Sequence, residues 1–281
     1  MATLLVATAA GAKHTNSGQY INGGNMKNRK SLGQHWLKDR DILIDIADHA
    51  SAENTNVVVE IGPGLGTLTS ALFQFFEQVI AVELDDRLAG NLPKSFPGKN
   101  LTVVHKDVLQ LDLNELKLPD NYVVAGNIPY YITSPIIQKF LHAEHKPQKI
   151  VLLIQKEVAE RFAAQAGDYS ILGLSAQIYA KVTLGPVVKR EFFTPPPKVD
   201  SQVVILEPLE TPRATETTMS LIKFGFSAPR KKLAGNLVAG LQLPKERIMK
   251  AMNACQISEN ARPADLTVEN WVALEKALKN E

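Results

Sequence analysis

The chain has one cysteine, Cys255, among 281 residues. An intrachain disulfide is therefore impossible, and a metal site built on several thiolates is excluded. The lone thiol fits a reducing compartment. Neither sign of charge dominates: 31 Lys and Arg face 29 Asp and Glu, a formal net charge of +2. A nucleic-acid partner would have to be held by a local basic patch, because the average charge will not attract it. Long apolar runs are also missing. TLLVATAAGA, near the start, is too short to span a bilayer. No Lys or Arg precedes it, so the positive region of a secretory signal is lacking. No later stretch is apolar enough to be transmembrane. The expected compartment is the cytoplasm, with no membrane partner. What is present is globular composition, 45% apolar and 21% charged, too apolar for disorder. The length suits one large domain with a small appendage.

Residues 1–25 differ from the rest and read as a disordered leader or an extension upstream of an alternative start at Met26. The body opens with a β-branched run at Asn56–Gly62 (NVVVEIG). Similar runs recur at Val79–Leu84, Leu101–His105, Tyr122–Ala125 and Ile150–Ile154. Such continuous runs suit strands buried on both faces of a parallel sheet. Segments with helical spacing lie between them, among them Thr67–Phe76 and Ser134–Leu141. The alternation predicts an α/β fold with βαβ units. Val182–Val188 and Val203–Leu206 flank a Pro-rich turn and are expected to add an antiparallel hairpin at the sheet edge. The pattern changes after Leu209, at the polar ETPRATETT. Beyond it apolar residues fall at helical spacing. The expected division is a catalytic domain over 26–209 and a small all-α C-terminal domain over 210–281.

Glu60-Ile-Gly-Pro-Gly-Leu-Gly66 leaves the first strand and opens a helix. Glycines there let the backbone turn tightly and approach a ligand. The spacing is GxGxG, which is neither the GxGxxG of dinucleotide folds nor a P-loop. Glu83 ends the second strand, where an acid can take ribose hydroxyls. Asp107 follows the third strand, where an acid can accept from the exocyclic amine of adenine. A solvated strand end is the lesser alternative for either acid taken alone. Three such features at successive carboxyl ends of strands mark the ligand edge of an open α/β sheet. Their order resembles the Rossmann-like sheet of S-adenosylmethionine-dependent methyltransferases. No metal is expected.

Asn127-Ile-Pro-Tyr130 follows the fourth strand and resembles the [DNS]-P-P-[YF] signature of enzymes that methylate amino groups of nucleic acids. The N6 of adenine is a poor nucleophile because its lone pair is delocalised into the ring. Acceptors on its two N–H groups pull the nitrogen toward sp³ geometry. The Asn127 side-chain oxygen is one candidate acceptor and the Ile128 carbonyl is the other. Pro129 stiffens the turn, and Tyr130 offers a face for the base. Phe192-Phe193-Thr-Pro-Pro-Pro-Lys198-Val-Asp-Ser201 reads as a rigid arm. It is expected to hold Phe193 opposite Tyr130, with Phe192 in the core. Stacking on an aromatic ring is worth about 1–3 kcal/mol per base, enough to offset part of the unstacking cost. Candidate RNA contacts are Lys223, Arg230, Lys231 and Lys232 beyond the linker, with Arg161 after the fifth strand and Lys198 in the arm.

These motifs, with Ser31-Leu-Gly-Gln-His-Trp-Leu37, Gln155-Lys-Glu-Val158 and Phe226-Ser-Ala-Pro-Arg-Lys-Lys-Leu233, resemble the KsgA/RsmA family over roughly Lys27 to Leu278. The resemblance implies dimethylation at N6 of two adjacent adenines near the 3′ end of 16S rRNA, in the immature small ribosomal subunit, with S-adenosylmethionine as donor. It implies that His35, Leu37, Gly62, Gly64, Glu83, Asp107, Val108 and Asn127 contact the donor, with Gln34 bracing the N-terminal lid near the donor's methionine end. It implies that Asn127, Tyr130 and Phe193 hold the target base. Nothing in the pattern demands a dimer, and a monomer is expected. Trp36 stands where the family motif has Phe, a change of packing. Tyr169-Ser-Ile-Leu-Gly173 departs from the family's YGxLS, and Arg230-Lys-Lys232 from its RRK, which reduces bidentate guanidinium recognition. Two rivals remain. One is the Erm type that methylates 23S rRNA, which lacks this arm. The other is a non-catalytic assembly factor, against which the intact Asn127 and Tyr130 argue.

Overall fold

A computed structural model describes residues 35–279. The leader (1–25) and Gln34 lie outside them. In chain order the elements are β1 (Trp36–Leu37), α1 (Arg40–Ala50), β2 (Val57–Ile61), α2 (Thr67–Leu72), β3 (Gln78–Glu83), α3 (Asp86–Ser95), β4 (Asn100–His105), β5 (Tyr122–Asn127), α4 (Thr133–Leu141) and β6 (Lys149–Gln155). Then come α5 (Lys156–Phe162), α6 (Ile171–Gln177), β7 (Ala180–Val188), β8 (Phe193–Thr194) and β9 (Ser201–Pro208). Four helices complete the chain: α7 (Glu216–Gly225), α8 (Leu233–Leu241), α9 (Lys245–Ala254) and α10 (Val268–Lys279).

The β-branched runs form a seven-stranded sheet of order β4-β3-β2-β5-β6-β9-β7. Strands β4, β3, β2, β5 and β6 pair in parallel. Strand β9 joins β6 antiparallel and lies between it and the edge strand β7. The fold is thus the mostly parallel α/β sheet with an antiparallel edge that the sequence predicts. A second, two-stranded sheet pairs β1 with β8. It joins residues about 160 positions apart and has no signal in the local pattern.

Capping fixes where helices start. The Asp39 carboxylate accepts from the Asp41 and Ile42 N–H groups at the head of α1. Asp85 does the same for Arg87 and Leu88 at the head of α3. Helix α2 ends at Leu72, four residues short of the expected Phe76. The Gln74 and Phe75 N–H groups bond three residues back, to Ala71 and Leu72. That tightening turns the chain into β3 and leaves Phe76 in the core.

The chain divides into two compact units. One holds residues up to Lys156 together with Leu184–Glu207, and the other holds Glu157–Thr183 and Pro208–Glu281. The second unit therefore draws in α5 and α6 as well as the four C-terminal helices. Its core is built on Trp271, which is fully buried, with Ile222, Leu233, Leu237, Ile248 and Met252. Glu275 accepts from the hydroxyls of Thr215 and Thr218 and so ties α10 to the start of α7.

Two glycines separate the sheet from its periphery. A Cβ on Gly126 of β5 would lie 2.7 Å from the Ile61 carbonyl oxygen, whereas one on Gly90 of α3 meets open space. Gly126→Ala is expected to destabilise the protein by about 1–3 kcal/mol through overpacking. Gly90→Ala is expected to stabilise it by about 0.5–1 kcal/mol through helix propensity. Thermal unfolding of the two variants side by side checks the opposite signs.

Candidate active site

The order of strands reverses beside β2: the chain runs outward through β3 and β4, then returns to pair β5 on the other flank. Loops leaving β2 and β5 must therefore part in opposite directions, and a crevice opens at their carboxyl ends. The structure has a cleft there of about 1050 Å³, counting the space open at its mouth. His35, Leu37, Gly62, Gly64, Glu83, Asp107, Val108, Asn127, Ile128, Pro129 and Tyr130 all line it. The sequence-predicted residues are thus brought together from separate segments of the chain.

The loop after β2 carries the closest approach. Gly64 has φ +58°, and a Cβ there would collide with the Trp36 ring. Its N–H donates to Glu83 Oε2 at 3.0 Å, and the Asp85 N–H donates to Oε1 at 2.9 Å. Both oxygens of Glu83 are thus anchored, each with a further lone pair free to accept. Burial raises the Glu83 pKa, although these N–H bonds oppose the shift. Asp107 caps its own turn by accepting from the Leu109 N–H at 2.9 Å.

The loop after β5 is held by residues far away in sequence. Asn127 Nδ2 donates to the His35 carbonyl at 3.3 Å. His35 Nδ1 lies 2.7 Å from the Pro195 carbonyl. The Tyr130 hydroxyl is 2.9 Å from Ser201 Oγ, and its ring is stacked at 20° to the His35 ring, with centroids 6.3 Å apart. The Asn127 amide therefore gives one of its two N–H groups to the N-terminal segment, with Oδ1 on the other branch of the amide. Burial holds the Tyr130 phenol above its ordinary pKa, although the Ser201 hydrogen bond pulls the other way. Burial thus favours the neutral phenol of Tyr130.

Phe193 stands elsewhere than expected. It is 3% exposed and packs in the main core with Leu37, Val188 and Val203. Its backbone pairs with Leu37. Phe192 ends the 3₁₀ turn Arg190–Phe192 just before that strand and is 39% exposed. The expected assignment of the two rings is reversed, and in this conformation Phe193 is not on the cleft wall opposite Tyr130. Lys198 is exposed on the arm. In the helical unit, Arg161, Lys223, Arg230, Lys231 and Lys232 are all exposed. Lys232 Nζ donates to Asn260 at 2.6 Å. Ser170, in the departure from YGxLS, caps α6 by accepting from the Gly173 N–H.

Sequence reasoning did not single out Glu60, Ser201 or Tyr131. Glu60 is buried in the cleft wall and Tyr131 is exposed at it. Glu60 stood in the quoted motif, but its burial depends on α2 closing over it, which no local pattern shows. Among the described residues no cluster of three or more His, Cys, Asp or Glu is placed to hold a metal, and no helix is long and apolar enough to cross a membrane.

Comparison with known proteins bears on this geometry. The family described as ribosomal RNA adenine dimethylase matches residues 25–280. The chain is 38% identical over 277 residues to the ribosomal RNA small subunit methyltransferase A of Dehalococcoides mccartyi (strain CBDB1), covering 96% of this chain and 95% of that one. It is 36% identical over 267 residues to the protein of the same name from Clostridium acetobutylicum, covering 92% and 96%. Among solved structures it is similar to a dimethyladenosine transferase from Plasmodium falciparum, with a TM-score of 0.74 and 30% identity over 85% of this chain and 96% of that one. It is also similar to the 23S rRNA methyltransferase ErmE, with a TM-score of 0.71 and 28% identity over 87% and 99%. A cleft of this construction and a match over nearly the whole chain lead to one conclusion: the chain belongs to the ribosomal RNA adenine dimethylase family.

Proposed function

We propose that this protein transfers methyl groups from S-adenosylmethionine to N6 of adenine in small-subunit ribosomal RNA, giving N6,N6-dimethyladenosine. The finer reading is that the targets are two adjacent adenines near the 3′ end of 16S rRNA, in the immature small subunit, and that the protein acts as a monomer in the cytoplasm. The observation that carries the chemistry is the orientation of Asn127. One of its two amide N–H groups is given to the His35 carbonyl, which sets the amide orientation, and its oxygen is the atom assigned to an incoming amine.

The cleft fits the donor. Anchored Glu83 suits ribose hydroxyls, Asp107 suits the adenine amine, and Val108 and Ile128 supply apolar walls. The loop of Gly62 and Gly64 admits close approach of the backbone. His35 and Leu37 close the other side, and Gln34 precedes them in sequence. When bound, S-adenosylmethionine supplies an electrophilic methyl group on a sulfonium.

The rest falls to the chain's own residues. Asn127 Oδ1 and the Ile128 carbonyl each accept one N–H of the target amine, which localises its lone pair. Pro129 restricts the turn that aims both acceptors. Tyr130, fixed by Ser201, gives the base a face. Catalysis then rests on positioning. The surplus proton leaves to water after transfer, so no strong base is required. Phe193 reaches the target base only if the arm moves, since its ring is buried here. Arg161, Lys198, Lys223, Arg230, Lys231 and Lys232 are the residues offered to phosphates.

Asn127→Ala is expected to lower kcat by about 10²-fold or more while leaving binding of small subunits intact. Single-turnover methylation and subunit pelleting measure the two effects separately, and normal turnover would remove the acceptor role. Lys231→Ala combined with Lys232→Ala is expected to weaken RNA binding and to reduce the slope of log affinity against log salt by about one for each phosphate no longer neutralised. Lys231 should account for more of this, because Lys232 is already hydrogen-bonded to Asn260. An unchanged slope would mean that neither lysine touches a phosphate.

A further inference from the structure

Tyr131 is an aromatic ring at the cleft to which the mechanism above gives no task. It is 64% exposed, the most exposed of the large apolar side chains among the described residues. Exposure alone says little, because apolar side chains scattered singly over a surface are ordinary. Position sets this ring apart. Of the exposed large apolar side chains, only Leu84 and Tyr131 border the cleft. Leu84 follows Glu83, where the donor ribose is assigned. Tyr131 follows Tyr130, where the target base is assigned.

The two tyrosines share one rigid support. Tyr130–Ile132 is a single 3₁₀ turn entered from Pro129. The Ile132 N–H donates to the Pro129 carbonyl at 3.2 Å, and the Thr133 N–H donates to the Tyr130 carbonyl. Ile128 before the turn is buried, and so are Thr133, Ile136 and Ile137 after it. Successive side chains of a 3₁₀ helix point about a third of a turn apart. Tyr130 is turned inward, where its hydroxyl meets that of the fully buried Ser201. The rotation then sends the Tyr131 ring out toward the mouth of the cleft.

A base that leaves its stack to reach Asn127 uncovers one face of the nucleotide beside it. That lost stacking is part of the cost of extrusion. An aromatic ring can restore it whatever the neighbour is, because every base has a π-face. A ring whose backbone is already fixed loses less entropy in doing so.

We infer that Tyr131 is the stacking platform for the nucleotide next to the target adenine, covering the face that extrusion of the target uncovers. The inference rests on reading this cleft as the place where an RNA adenine meets Asn127. Two successive residues then receive two successive nucleotides. The target is held by hydrogen bonds and by Tyr130, and its neighbour is held by its ring face alone. Recognition at the neighbouring position therefore requires a base and tolerates a change of base.

The test measures kcat/KM for methyl transfer from S-adenosylmethionine to small subunits purified from cells lacking this activity. Wild type, Tyr131→Ala and Tyr131→Phe are compared on three substrates: natural subunits, and subunits whose RNA carries an abasic nucleotide on the 5′ or the 3′ side of the adenine being methylated. On natural subunits Tyr131→Ala is expected to lower kcat/KM by about fivefold to a hundredfold, and Tyr131→Phe, which keeps the ring, to retain it. On one of the two abasic substrates wild type and Tyr131→Ala are expected no longer to differ, which assigns the side. A loss of the same size on all three substrates would overturn the inference, since the ring would then support the turn and not a base. Equal kcat/KM for wild type and Tyr131→Ala on natural subunits would overturn it as well. Both results leave the reading of the cleft standing, because wild type still methylates. Failure of wild type to methylate natural small subunits would overturn both. If Tyr131→Ala does not fold, Tyr131→Leu, bulky but without a π-face, takes its place in the same comparison.

Discussion

The site depends on one constraint, the in-register parallel pairing of β2 with β3 on one side and β5 on the other. Glu60 lies level with Ala81 and Ala125. The residues just past each strand therefore emerge at one edge and at one height. A slip of one residue would turn every side chain of a strand to the opposite face. These strands are buried on both faces, so a slip would leave no face correct. The sheet thus holds Gly64, Glu83 and Asn127 in fixed relation without any of them contributing to the core.

Pairing alone leaves the loops free to move. The β1–β8 ribbon and three polar contacts remove that freedom: Asn127 to His35, His35 to Pro195, and Tyr130 to Ser201. Each contact joins the loop after β5, the N-terminal segment or the Pro-rich arm to one of the others. The same ribbon draws Phe193 into the core. The arm therefore braces the turn after β5 in this conformation and keeps the Phe193 ring in the core. Electrostatically the cleft is acidic inside, with Glu60 and Glu83 both buried and both shifted toward the neutral form.

The sheet and its ligand edge were legible because buried parallel strands write themselves as β-branched runs, and because glycines and acids at strand ends have few other reasons to recur in order. Asn127-Ile-Pro-Tyr130 was legible because the proposed transfer to an amine calls for such groups side by side, and the structure brings all four to the cleft. What escaped depends on tertiary closure. The end of α2 at Leu72 is set by the turn into β3, while the helical pattern runs on to Phe76. Which of Phe192 and Phe193 is buried is set by a two-residue ribbon to a segment about 160 positions away. The Tyr130–Ser201 contact spans 71 positions, and the grouping of 157–183 with the C-terminal helices crosses the main sheet in sequence. No window of local pattern contains such information.

The decisive measurement is incorporation of labelled methyl from S-adenosylmethionine into small ribosomal subunits purified from cells lacking this activity, with large subunits as the control. The modified nucleoside is identified by mass spectrometry. N6,N6-dimethyladenosine confined to the small-subunit RNA is the predicted result. Label confined to the large-subunit RNA, or none on either while small subunits are still bound, would contradict it.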